Sequence, residues 1–169
     1  PLNDLDALER VFTENPGQIA GMILEPILMG AGIIVPQPGY LEGIKNIVHR
    51  HGALLAFDEV KTGLVVHPGG VTAMYGVAPD IICLAKALGG GLPCGAVGGT
   101  TEVMSAITDG RYSQVGTFNG NPLTMAAARA VLTEVLTDDA YAKANDVGAY
   151  ILEQSLATLH ENGQEAHGY

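Results

Sequence analysis

The chain has 169 residues, of which 47% are hydrophobic and 15% charged, and its formal net charge at pH 7 is −10. A typical soluble domain is about 25% charged, so this composition favours a large buried core. The acidic balance argues against nucleic-acid binding, which needs clustered lysine and arginine, and no apolar run approaches the roughly 20 residues that cross a bilayer.

Apolar runs and amphipathic segments alternate along the first part of the chain. Short apolar runs bounded by turn residues predict strands, and apolar residues three or four positions apart predict helices. In chain order the pattern predicts a helix over 2–12, a strand over 19–26, a helix over 40–52 and a strand over 53–58. Strand, helix and strand form a βαβ unit, so the two strands should be parallel.

The second part of the chain continues the alternation. It predicts a strand over 80–86, a short fourth strand over 95–99, and helices over 101–107, 121–136 and 138–163. The helix over 121–136 begins with Asn121 as its N-cap and Pro122 at its first position, both favoured there. We therefore expect an α/β fold, with a mostly parallel sheet flanked by helices.

Other features of the chain bear on its context. It begins at Pro1 rather than at methionine, and so apolar a chain would expose faces that other segments normally cover. We therefore expect a segment of a longer protein. Cys83 and Cys94 lie in apolar or Gly-rich surroundings without metal-ligand spacing, which favours small core residues, a reducing cytoplasmic compartment and no metal site.

Ionisable residues stand at the ends of two predicted strands. Asp58 and Glu59 follow the apolar part of one, and Lys86 ends the other. Ligands of open α/β sheets bind beyond the carboxyl ends of the strands, so Asp58 and Lys86 share a crevice if the two strands are neighbours. Either residue alone is most simply a solvated strand end. The pair is more informative. A desolvated lysine amine is a usable nucleophile, and a carboxylate suits a buried cation. Both occur together at pyridoxal 5'-phosphate (PLP) sites.

A nucleotide-binding ATPase is the competing interpretation of the same stretch. LLAFDE (54–59) resembles the acidic strand of a P-loop nucleotidase, whose aspartate holds Mg²⁺. That function requires an upstream G-x-x-x-x-G-K-[ST] loop, and none occurs before Asp58. The ATPase is therefore disfavoured.

Three consecutive blocks carry a family resemblance: AFDEVKTG (56–63), GVAPDIICLAKALGGGLPCGAVGG (76–99) and GTFNGNPLTMAAA (116–128). They resemble signature blocks of the class III (fold type I) PLP-dependent aminotransferases, in the branch that includes glutamate-1-semialdehyde aminomutase. The resemblance runs from about residue 19 to 136. The blocks are long, ordered and correctly spaced, which a chance match does not explain.

The resemblance implies roles for five residues. Lys86 matches the lysine that forms a Schiff base with PLP, and Asp58 matches the acid that pairs with the pyridine nitrogen. Val60 matches the apolar residue that packs against the ring. Gly116 and Thr117 match a segment that binds the cofactor phosphate of the neighbouring subunit. The resemblance thus implies a homodimer with a shared active site, which acts on a small-molecule amino donor and a carbonyl acceptor.

The resemblance also implies a domain organisation. Residues 1–136 would be the central part of the PLP-binding large domain, and residues 137–169 a helix leading towards a small C-terminal domain. We expect the isolated chain to be poorly stable and inactive. A 2,1-aminomutase of the glutamate-1-semialdehyde type and a non-catalytic dimerisation fragment remain as alternatives.

Three positions depart from the family pattern. Lys61 stands where many relatives carry glutamine or methionine, Gly30 where some carry asparagine or glutamate, and 64–70 lack an arginine that relatives often have. All three lie in segments that face the substrate in relatives. The resemblance therefore leaves the substrate open.

Overall fold

The computed structural model describes residues 2–168, which form a four-stranded sheet with flanking helices. The strands are β1 (Gly21–Leu24), β2 (Leu54–Asp58), β3 (Ile81–Leu84) and β4 (Ala96–Gly99). The α-helices are α1 (Leu5–Glu14), α2 (Tyr40–Arg50), α3 (Gly70–Tyr75), α4 (Thr101–Thr108), α5 (Pro122–Ala130) and α6 (Asp138–Glu161). The 3-10 helices Met29–Ala31 and Lys86–Gly89 and the π-helix Val131–Val135 complete the regular structure of the described residues.

The strand order is β1-β2-β3-β4. β1 pairs with β2 and β2 with β3 in parallel, whereas β4 runs antiparallel to β3. The predicted parallel pairing of the first two strands and the mostly parallel α/β class are therefore confirmed. In the register of the sheet, Leu24 lies beside Phe57 and Asp58 beside Cys83, so the carboxyl ends of the three parallel strands meet at one edge.

The hydrophobic core lies between α2 and one face of the sheet. Leu55 and Phe57 of β2 and Ile44 and Val48 of α2 are completely buried. Side chains along a strand alternate between its two faces, so Asp58 falls on the face opposite Leu55 and Phe57 and is only half-buried. The alternation returns Glu59 to the core side, and its side chain is completely buried.

Four α-helices begin where short polar side chains cap them. A side-chain oxygen of the capping residue accepts a hydrogen bond from a free backbone amide of the first turn, which stabilises the helix start. The caps are Asp4 for α1, Thr100 for α4, Asn121 for α5 and Thr137 for α6. α1 therefore begins at residue 5 rather than at residue 2, and the predicted start of α5 is confirmed.

α3 was not predicted, because its six residues are too few to display a helical repeat of apolar positions. α6 is the longest helix, with 24 residues, and none of them is buried. Even so, residues 2–168 contain no helix that is long and apolar enough to span a membrane.

A polar cluster joins α2 to the sheet at the edge opposite the carboxyl ends of the parallel strands. Asp80 Oδ2 accepts hydrogen bonds from the Leu55 amide at 2.7 Å and lies 2.8 Å from His49 Nε2. Burial tends to raise the pKa of Asp80, but the hydrogen bonds from Leu55 and His49 and the nearby charge of Lys45 together outweigh it, so the pKa lies below its ordinary value. A protonated His49 would add to this lowering.

Asp80 should therefore contribute stability that depends on pH. The contribution is present above the ordinary pKa of about 3.9 and is lost as the pH falls through the lower pKa of the folded state. Asparagine carries no charge, so Asp80→Asn should lower the urea concentration at the midpoint of unfolding near neutral pH. The midpoint should then fall less steeply as the pH becomes acidic. Asp109→Asn, at an exposed site, is the matched control. An unchanged midpoint in Asp80→Asn would contradict this role.

Candidate active site

The two residues that the sequence singled out lie at the same edge of the sheet. Asp58 is the last residue of β2, and its partner in β3 is Cys83. Lys86 follows Cys83 by three positions, just beyond the end of β3. We expected Asp58 and Lys86 to share an edge if their strands were neighbours. β2 and β3 are parallel neighbours, so the amine and the carboxylate do lie at one edge.

Asp58 has a carboxylate that is only partly used. Its Oδ1 accepts a hydrogen bond of 3.0 Å from the Val60 amide. Among residues 2–168, its Oδ2 accepts none. A half-buried carboxylate with a free oxygen can accept a hydrogen bond from a cationic group. Such a bond is stronger than one between neutral groups.

Lys86 has an unusual backbone conformation. Its φ is +44°, in the left-handed region, where a residue other than glycine costs about 1–3 kcal/mol. The residue opens the 3-10 helix Lys86–Gly89, in which the Leu88 amide donates to the Ala85 carbonyl at 3.0 Å. Such strain persists only where the surroundings fix the backbone, and it is frequent at functional sites.

The expected desolvation of Lys86 is not found in this chain. The side chain is exposed, because the residue opens a surface turn rather than closing the buried strand. Its amine is therefore accessible from solvent in the described residues.

Two glycines after Lys86 have packing roles within the chain. A Cβ on Gly89 would lie 2.9 Å from Cβ of Cys94, and one on Gly90 would lie 2.7 Å from Cγ2 of Val131. Gly90 also has a φ of +57°. These close approaches leave no room for larger residues between the turn, the segment before β4 and the end of α5, so the position of Lys86 depends on small residues beside it.

The remaining predicted residues lie on two different segments. Val60 is half-buried and follows the strand that carries Asp58. Gly116 and Thr117 lie on the loop between α4 and α5, where residues 111–120 are all exposed. The Asn119 amide donates to the Gly116 carbonyl at 3.1 Å, which begins the turn that leads into α5.

A large apolar cavity of about 970 Å³ lies between that loop and the turn after Lys86. Leu88 lines it on one side and Phe118 on the other, with β4, α4 and α5 around them. Neither Asp58 nor Lys86 lines this cavity. The amine and the carboxylate therefore belong to the open edge of the sheet and not to this cavity.

Within residues 2–168 no group of three or more His, Cys, Asp or Glu side chains is placed to hold a metal ion. Every buried side-chain nitrogen and oxygen in the same range has a hydrogen-bond partner.

The chain resembles solved structures over nearly all of its length. It is 34% identical to an omega-transaminase from Sphaerobacter thermophilus, with a TM-score of 0.92 and coverage of 100% of this chain and 40% of that one. It is 25% identical to a transaminase with PLP bound, with a TM-score of 0.90 and coverage of 96% and 39%. It is 31% identical to a glutamate-1-semialdehyde-aminomutase from Pseudomonas aeruginosa in complex with PMP, with a TM-score of 0.82 and coverage of 95% and 37%.

These similarities agree with a match at the level of the family. The chain spans about two fifths of the length of each of these structures. Residues 2–167 match the family described as aminotransferase class III. The match covers nearly every residue, and the chain belongs to the class III aminotransferase family.

Proposed function

We propose that the chain forms part of a PLP-dependent aminotransferase, which moves an amino group from a small amino acid or amine to a carbonyl acceptor. The observation that carries this proposal is the register of β2 and β3, which brings Asp58 and Lys86 to one edge of the sheet. Membership of the class III family supports the same chemistry. We further propose that the chain is the central part of a longer polypeptide, called the parent protein below.

The residues at this edge fit PLP. The free oxygen of Asp58 suits a protonated pyridine nitrogen, and the exposed amine of Lys86 can bond to an aldehyde carbon. When bound, PLP supplies an aldehyde that takes up the amino group and a ring that withdraws electrons from the substrate. Asp58 and Lys86 would therefore hold opposite ends of the reactive part of the cofactor.

Lys86 would have a second role once its Nζ is free. As an amine it can accept the proton from the α-carbon of the amino donor, and as an ammonium group it can return that proton. Asp58 would hold the cationic ring nitrogen while Lys86 moves the proton. The left-handed backbone of Lys86 would fix the direction from which Nζ reaches the proton.

Val60, Gly116 and Thr117 are proposed as further cofactor-binding residues. Val60 would pack against the ring. The loop residues Gly116 and Thr117 would bind the phosphate of the cofactor in a second subunit, since backbone amides just before a helix N-terminus favour an anion. Exposed apolar residues near that loop support a homodimer: Val115 is 83% exposed, Phe118 78% and Leu123 70%.

The domain organisation is proposed on similar grounds. Residues 1–136 would form the central part of the PLP-binding large domain, and 137–169 the helix that leads to a small C-terminal domain. The absence of buried residues in α6 supports a helix that packs on another part of the parent protein. We propose a cytoplasmic location, which the free thiols of Cys83 and Cys94 support.

A 2,1-aminomutase is the second candidate. The similarity to the Pseudomonas aeruginosa aminomutase favours it, and both reactions would use the same two residues. A non-catalytic dimerisation fragment is the weaker alternative, because Lys86, Asp58 and Thr117 are all intact.

Transfer of a labelled amino group separates these candidates. The parent protein, loaded with PLP, should take ¹⁵N from a labelled amino donor and deliver it to an added keto acid, because Lys86 moves the proton in both half-reactions. An aminomutase would return the label on a rearranged form of the donor. Retention of all the label on unchanged donor would contradict both enzymatic functions.

A further inference from the structure

Glu59 is the most completely bonded side chain near the candidate site. It is completely buried, and its Oε2 accepts hydrogen bonds from the Val71 amide at 2.7 Å and from the Thr62 hydroxyl at 3.1 Å. Its Oε1 accepts from the amide and the hydroxyl of Thr72, at 2.9 and 2.7 Å. A buried carboxylate is stable only with such partners, so the segment that carries Val71 and Thr72 is tied to Glu59.

The backbone of Glu59 is bonded as fully as its side chain. Its amide donates to the Cys83 carbonyl of β3 at 3.0 Å, and its carbonyl accepts from the Gly63 amide at 2.8 Å. Glu59 therefore connects the end of β2 both to β3, which leads to Lys86, and to the loop that follows. It also lies between Asp58 and Val60, whose mutual hydrogen bond spans it.

Gly70 leaves the space that this arrangement needs. Its φ is +64°, which favours glycine, and a Cβ at this position would lie 2.2 Å from Oε2 of Glu59. A larger residue would displace the carboxylate from the amides of Val71 and Thr72. The start of α3 is thus shaped to receive Glu59.

We propose that Glu59 is a positioning residue, which fixes the direction of the Asp58 carboxylate towards the cofactor. This inference rests on the proposed function. Glu59 holds the turn at Asp58 from both sides, through β3 and through α3, so the Asp58 carboxylate does not follow motions of the loop after it. A catalytic group that moves by about 1 Å can lose a hundredfold in rate, which is the scale of effect that this anchoring prevents.

Glu59→Gln in the parent protein tests the proposal. Glutamine has the same size, but its NH₂ group places a donor against the donors of Val71 or Thr72. In the cofactor-free protein, hydrogen exchange of the Val60 and Gly63 amides should become about 10- to 100-fold faster. In the loaded protein, the dissociation constant for PLP should rise about 10- to 100-fold, the scale of loss seen when a residue that orients a metal ligand is removed.

Two further variants keep the test decisive. Thr72→Val removes one hydroxyl donor and keeps the fold. It should raise the exchange rates and the dissociation constant for PLP by smaller factors, and it serves as the test if Glu59→Gln does not fold. Asp80→Asn is the control for stability, because Asp80 lies at the other edge of the sheet. It should lower stability and leave PLP affinity unchanged.

The outcomes separate this inference from the proposed function. Wild-type protein that does not bind PLP would contradict the proposed function, whatever the exchange rates. Wild-type protein that binds PLP, with Glu59→Gln matching it in affinity and in exchange at Val60, would overturn the positioning role alone. Equal losses of affinity in Glu59→Gln and Asp80→Asn would also overturn it, since they would reflect general destabilisation.

Discussion

Replacing Lys86 with alanine in the parent protein should eliminate covalent retention of PLP and reduce amino transfer by about 100- to 10,000-fold, the contribution of a positioned general base. Alanine has no amine to bond to the aldehyde and none to carry the α-proton. The change should be measured as single-turnover transfer from a labelled donor, with an added primary amine in a parallel reaction. Partial rescue by the added amine would identify proton transfer as the function that was lost.

Two companion variants separate the amine from the backbone. Lys143→Ala removes an exposed lysine of α6 and should leave transfer unchanged. Lys86→Gly should be as inactive as Lys86→Ala but more stable, because glycine adopts the left-handed φ of +44° without strain. Wild-type transfer rates in Lys86→Ala would contradict the assignment of Lys86.

Replacing Asp58 with asparagine should reduce amino transfer by about 100- to 1000-fold, as the loss of one preorganised electrostatic contact commonly does. Asparagine keeps the shape of the side chain, and its oxygen can still accept the hydrogen bond from the Val60 amide. It lacks the charge that holds a cation. The pyridine nitrogen should therefore lose its proton more readily.

The protonation of that nitrogen can be observed directly. With PLP labelled with ¹⁵N in the ring, the NMR signal of the bound cofactor should move towards that of the neutral ring in Asp58→Asn. Asp109→Asn, an exposed change of the same kind, should keep the wild-type signal. A protonated nitrogen in Asp58→Asn at neutral pH would show that another group holds the proton.

The carboxyl ends of two strands could be predicted from the sequence because each apolar run ends at an ionisable residue. The apolar runs that contain β2 and β3 end at the ionisable residues Asp58 and Lys86. A parallel order followed from the βαβ unit. That unit covers β1 and β2 only, so the placement of Asp58 beside Lys86 depended on β2 and β3 being neighbours, a condition that the register of the sheet meets.

The details that fix the site depend on distant contacts and could not be predicted. α3 begins at Gly70, and its first amides are bonded to Glu59, which lies 12 and 13 residues before its partners Val71 and Thr72. No local sequence pattern predicts hydrogen bonds between Glu59 and the first amides of α3. The sequence places Glu59 at the end of a strand, and the structure shows its hydrogen bonds to α3.

The turn after Lys86 was also beyond sequence reasoning. A positive φ at a lysine is uncommon, so nothing in the stretch from Lys86 to Gly91 indicates it. The structure shows that Gly89 and Gly90 approach Cys94 and Val131 within the chain. The antiparallel direction of β4 likewise depends on the path of this turn.

Reductive trapping of the cofactor tests most directly whether Lys86 and Asp58 share a PLP site. The parent protein should be incubated with PLP, reduced with borohydride, digested, and mapped by mass spectrometry, alongside Asp58→Asn. We expect one pyridoxyl phosphate group on the peptide that contains Lys86, at reduced occupancy in Asp58→Asn when PLP is limiting. Modification of a different lysine, or none on the peptide of Lys86, would contradict the site.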